Sequence, residues 1–154
     1  MRQAVLIILV VLIAALLLFA GCTVAVDPKY HTLPERASLG LPYSDAVRVG
    51  NLLFLSGTVG QVPGTRQVVS GGVVAETRQA LTNIKTNLEA HGSSLDRVAK
   101  CTVMLADISD FDAMNQVYRE YFPRNTPART TFGVAALPLG ARVEIECIAV
   151  VNGR

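Results

Sequence analysis

The sequence predicts an α+β domain, a mixed β-sheet with two helices packed on one face and a hydrophobic segment ahead of it. Three observations predict this: a hairpin signal near residue 50, two amphipathic stretches separated by a strand-like run, and two further strand-like runs that close the chain. The order is β-β-α-β-α-β-β. No repeat or low-complexity segment interrupts it.

Each element has a local cause. Ala46 to Val49 and Leu52 to Ser56 flank Gly50-Asn51, a pair suited to the primed turns that match strand twist. Gly57, Gly60 and Gly64 mark an irregular loop. From 73 to 91, Val74, Thr77, Leu81, Ile84 and Leu88 recur at helical spacing, with Gly92 as terminator. Lys100 to Ala106 reads as a strand. Ser109 or Asp110 then caps a second helix with Phe111, Met114, Tyr118 and Tyr121 on one stripe. Pro127 biases Thr126 toward extended backbone, opening a strand from Ala128 to Ala135, and Arg142 to Val151 forms the last.

The amino end has a different character. Residues 4 to 21 carry no charge and would span roughly 27 Å as a helix at about 1.5 Å per residue. The run ends at Ala20-Gly21-Cys22, which resembles a bacterial lipobox with Cys22 as the lipidated residue; an uncleaved anchor is the other reading of residues 1–22. Arg2 precedes the run and a balanced mix of charges follows it, which points to a membrane-anchored domain outside the cytoplasm. Residues 23–40, with two prolines and no sustained period, read as a tether, leaving 41–154 as the domain.

Composition excludes several function classes. With 154 residues, 51% hydrophobic and 17% charged, the chain suffices for one domain with a substantial core. Fourteen basic residues against twelve acidic ones provide no broad field for nucleic acid. Cys101 and Cys147 sit in separate apolar runs, where two buried thiols or a disulfide are both open. No zinc-ligand spacing is present, and the only histidines are His31 and His91. DISDFD lacks the ligand spacing of a calcium loop and reads as helix capping. TVGQVPG lacks the GK[ST] ending of a phosphate loop.

Candidate chemistry lies at the carboxyl end. In VEIECIAVV the pleat puts Val143, Ile145, Cys147 and Ala149 on one face and Glu144 and Glu146 on the other. Arg129 sits in the preceding strand with a permanent charge and a flat fork of donors, which requires a carboxylate or phosphate. Its partner is either a ligand or the two glutamates, in a sheet-surface ion-pair ladder.

Four stretches bear on that choice: LPYSDAVRVGNLLFLSG, the run from ETRQALTNIK through VYREYF, PARTT, and ALPLGARVEIECIAV. In order and spacing they resemble the RidA (YjgF) family of enamine/imine deaminases. The resemblance implies a chorismate-mutase-like fold, assembled as a homotrimer with clefts between subunits, and no cofactor. It places Arg129 on the arginine that holds the substrate carboxylate and Glu144 on the glutamate that positions the hydrolytic water. Tyr43, Ser56, Gly57 and Asn115 match other cleft residues. Thr58 stands where many members have Gln, and Thr131 where several have Cys. The implied reaction is hydrolysis of 2-imino or enamine acids to 2-keto acids and ammonia. The resemblance also admits a sensor of small carboxylates and a chaperone-like or ribonuclease role, the last opposed by the near-neutral charge.

Overall fold

The computed structural model describes residue 3 and residues 26–151. The amino-terminal segment 1–22, including Cys22 as a lipidation site, therefore lies outside the described residues except at Gln3. Ten elements follow one another: β1 (Lys29–His31), α1 (Pro34–Ala37), β2 (Ala46–Val49), β3 (Leu52–Leu55), β4 (Thr58–Val59), α2 (Gly72–Ala90), β5 (Val98–Leu105), α3 (Phe111–Tyr121), β6 (Ala128–Gly133) and β7 (Val143–Val150).

Among the described residues, seven strands form one sheet in the order β1-β2-β3-β7-β5-β6, with β4 also paired to β7. Only β5 and β6 run parallel, Cys101 opposite Arg129, so the sheet is mixed. The last strand of the chain thus lies near the middle of the sheet, where sequence order alone did not put it. Cys147 of β7 is opposite Cys101 of β5, Cα to Cα 4.2 Å, and the two form a disulfide.

Both longer helices lie on one face of this sheet. Leu81, Ile84 and Leu88 of α2 and Met114 and Val117 of α3 close on Leu53, Val103, Leu105, Val143 and Ile145, all at most 2% exposed. Each such side chain contributes roughly 1.5–3 kcal/mol of transfer free energy. The α2 stripe is rotated slightly from expectation: Val73 is buried and Val74 exposed. Gly92, at φ 76°, ends α2 as expected, with Gly92 and Ser93 N–H donating to the Glu89 and Leu88 carbonyls. Asp110 stands at the N-cap position of α3 as expected, but its side chain makes no cap hydrogen bond; the side-chain cap lies one turn earlier, ahead of the 3-10 turn Ile108–Asp110. Asp107 accepts from Ser109 N, while Asp110 pairs with Arg142 at 2.7 Å.

The tether reading of 23–40 is corrected by β1 and α1. Lys29–His31 pairs antiparallel with Ala46–Arg48, and the Asp45 carboxylate accepts from Leu33 N at 2.8 Å and forms an ion pair with Arg36. A three-residue strand within the five residues between Pro28 and Pro34 is too short to show a period. Their placement comes from the buried Asp45 carboxylate, 5% exposed, rather than from a local pattern.

Candidate active site

The expected site residues fall into two groups. One gathers where β3 ends. Ser56 donates its hydroxyl proton to the Ser44 carbonyl at 2.7 Å, which fixes the turn into Gly57. A Cβ on Gly57 would overlap the Glu144 carboxylate, so the missing side chain is what lets that carboxylate reach the backbone. Glu144 is half-buried, and burial, assisted by the like charge of Glu146 two residues on, raises its pKa above the ordinary carboxylate range. A cavity of about 100 Å³ opens beside Ser56 and Gly57, lined further by Arg36, Asp45, Gln61 and Asn87. Tyr43 is half-exposed near it, its hydroxyl 3.4 Å from an Arg36 nitrogen that donates to it.

The other group gathers around Arg129 on β6. Its Cζ lies 4.6 Å from the Tyr118 ring centroid and 5.6 Å from that of Phe111. Among the described residues Arg129 has no ion pair; the acidic partners go to Arg36, Arg78, Lys85 and Arg142. Tyr118 is buried in α3, its hydroxyl without a hydrogen-bond partner, and burial pushes its pKa up to about 12 against the lowering effect of the Arg129 charge. Asn115 lies between Phe111 and Tyr118 at helical spacing, on the same side of α3. Thr131 follows Arg129 on the same side of β6, its hydroxyl also without a partner.

The two groups stand on opposite faces of the sheet. Arg129 is level with Cys101, which faces the helices, whereas Glu144 belongs to the alternate positions of β7 that face away from them. The ion-pair ladder between Arg129 and the glutamates is therefore excluded: β5 separates their strands and the pleat separates their faces. A single protomer does not bring Arg129 and Glu144 together. Sequence reasoning also missed Arg36 and Asp45, because a buried ion pair across nine residues has no periodic signature.

Comparison with known proteins finds similar chains and a similar fold. The family model described as Endoribonuclease L-PSP matches residues 34–151. A goat protein named 2-iminobutanoate/2-iminopropanoate deaminase is 54% identical over 119 residues, 77% of this chain and 86% of the relative. An Arabidopsis thaliana protein named Reactive Intermediate Deaminase A, chloroplastic, is 50% identical over 73% of this chain, and the match spans 60% of that relative's length. The crystal structure of RidA from an Antarctic Psychrobacter superposes with a TM-score of 0.74 at 39% identity, over 80% of this chain and all of that one.

These findings overturn the expected location. Among the described residues no helix is long and apolar enough to cross a membrane, and the Arabidopsis relative is named for the chloroplast. The membrane-anchored placement outside the cytoplasm, and the membrane as a partner, rested on the hydropathy of residues 4 to 21, the lipobox at Cys22 and the charges flanking the run. These are local signals of how a segment partitions and orients, and they carry no information on the fold and chemistry of the domain that follows. From the matched model, the sequence identities and the shared fold together, the chain belongs to the RidA (YjgF) family.

Proposed function

We propose that the chain is a cofactor-independent deaminase that hydrolyses 2-imino acids, and enamines after tautomerisation, to 2-keto acids and ammonia at clefts between the subunits of a homotrimer. The observation that carries this reading is Arg129, a permanent cation stacked on aromatic rings and left without an acidic partner among the described residues. A carboxylate from solution satisfies it with two parallel charge-assisted hydrogen bonds. The activity is supported by the names of relatives about half identical to this chain.

The separation of Arg129 from Glu144 supports a shared cleft. On opposite faces of one protomer they meet only if the β6 edge of one copy abuts the Glu144 side of the next. That face exposes Leu52, Phe54 and Phe132, an apolar surface suited to burial between copies. Residues 29–151 form the catalytic unit.

The chemistry then needs orientation and one base. With the carboxylate held by Arg129, water adds to the carbon of the protonated imine, the C=N π pair moves to nitrogen to leave a neutral amine, and Glu144 takes the proton that water releases. Its raised proton affinity makes it a stronger base than an ordinary carboxylate. Glu144 returns that proton to the carbinolamine nitrogen, the C–N bond breaks as a lone pair of the hydroxyl oxygen forms the C=O bond, and the hydroxyl proton passes to Glu144 and from it to solvent, releasing ammonia and a 2-keto acid. Gly57 gives Glu144 room, Ser56 holds the turn, Tyr43 and Asn115 flank the substrate, and proximity supplies much of the acceleration.

The test mixes the purified chain with an amino-acid oxidase that generates 2-imino acids. Faster keto-acid and ammonia formation is expected, with Glu144→Gln lowering turnover far more than 2-keto-acid binding. A chain that binds 2-keto acids and releases no ammonia sinks the enzymatic reading, and a monomeric mass in solution sinks the shared cleft.

A further inference from the structure

An arginine kept for a ligand has to be held by something other than a counter-ion. The usual anchors are absent around Arg129 among the described residues, yet its Cζ sits 4.6 Å over the face of the Tyr118 ring. Stacking on a ring occupies one face of the planar cation and none of its five N–H donors. A carboxylate beneath the guanidinium would instead consume the fork that a substrate needs.

The ring itself does not move freely. Tyr118 is 5% exposed, belongs to the core cluster, and packs on Phe122 with ring centroids 4.6 Å apart. Phe111, two helical turns earlier on the same side of α3, forms a second wall 5.6 Å from Cζ. Its own ring is 37% exposed, so the two aromatics differ: one is a fixed floor, the other a partly open side wall. The Tyr118 hydroxyl has no partner, so no hydrogen bond accounts for the choice of this residue over phenylalanine; the ring is the part that touches Arg129.

We infer that Tyr118 is a positioning residue for Arg129, its buried ring holding the guanidinium in place by its face so that the N–H edge stays free for the substrate carboxylate. The role rests on the deaminase reading above, and it acts through Arg129 without contact between Tyr118 and substrate. It assigns α3 a part in binding: the helix that closes the core also sets the pose of the cation.

The experiment measures 2-oxobutanoate binding and steady-state turnover for the full chain and five variants. Tyr118→Leu is expected to weaken binding and raise KM about tenfold, the scale of a desolvated cation–π contact, with kcat changed less. Tyr118→Phe, which keeps the ring, restores both. In an Arg129→Ala background, Tyr118→Leu is expected to weaken binding no further; an additive tenfold loss there overturns the role. Phe111→Leu, at a partly exposed position that tolerates change, lowers affinity in the same direction by a smaller factor, and this arm stands if Tyr118→Leu does not fold. Unaltered affinity in a folded Tyr118→Leu protein overturns the inference and leaves the reaction intact. Wild-type protein that binds no 2-keto acid overturns the reaction and this role with it.

Discussion

Arg36 and Arg129 occupy opposite situations. Arg36, its side chain 19% exposed, meets Asp45 in an ion pair and directs its remaining nitrogens at Gln61 and Tyr43. Arg129 rests on two aromatic rings and meets no acid among the described residues. The first is neutralised inside the protein and serves the fold; the second keeps its charge and donors and is suited to a ligand. The contrast separates an arginine that stabilises from one that binds, and it makes unequal demands on each position.

The largest effect should come from Arg129→Ala. Two charge-assisted hydrogen bonds to a carboxylate, each worth about 1.5–3 kcal/mol, correspond to a fall in kcat/KM of roughly a hundredfold to ten-thousandfold. Thermal stability should scarcely change, because no carboxylate is left stranded. Steady-state kinetics beside a melting curve check this, and a melting temperature that falls with the activity would erase the distinction between the two arginines.

Arg36→Ala should reverse that pattern. It leaves Asp45, 5% exposed, without its ion-pair partner, a loss of about 3 kcal/mol for a buried pair broken on one side. The Leu33 N–H still donates to Asp45, so the loss should appear as detachment of β1 and α1 rather than global unfolding. Hydrogen exchange of residues 29–33 reads it directly. Exchange unchanged there would mean that β1 holds without the ion pair.

Much of this contrast was invisible in the sequence, for physical reasons. Elements with a long period were legible: the α2 stripe of Leu81, Ile84 and Leu88, the hairpin about Gly50-Asn51, and the alternation along β7. β1 and α1 were not, since three and four residues carry no period and are held by a contact made across the fold. Arg129 and Glu144 were legible as residues, but not their faces. That depends on β5 lying between β6 and β7, a matter of strand order that local pattern does not encode. The disulfide needed the same information, because only the register shows Cys101 opposite Cys147.

A smaller effect should follow from Tyr118→Phe. Its hydroxyl is buried without a partner, and such a group destabilises by about 1–3 kcal/mol relative to a form that lacks it. Removing it should therefore raise the melting temperature while the ring keeps Arg129 in place. A lower melting temperature would mean that the hydroxyl has a partner in solution, and the aromatic support of Arg129 would then differ less from the hydrogen-bonded corner around Arg36.

The smallest effect concerns Glu144, whose environment sharpens the same contrast from the acidic side. Burial and Glu146 both raise its pKa, so the folded protein holds this proton more tightly than the unfolded chain does. Its contribution to stability consequently declines as pH rises from the ordinary carboxylate range through the raised value, the opposite of a carboxylate held in a stabilising ion pair. If the ionised form is the base, kcat/KM should fall as pH drops through that raised value. Glu146→Gln removes only the second cause, so the acid limb of the pH profile should move down and remain above the ordinary carboxylate range, because burial persists. A limb that stays put would assign the shift to burial alone, and a limb that returns fully to the ordinary range would assign it to Glu146. Either result fixes which neighbour keeps Glu144, like Arg129, out of the internal pairing that Arg36 and Asp45 adopt.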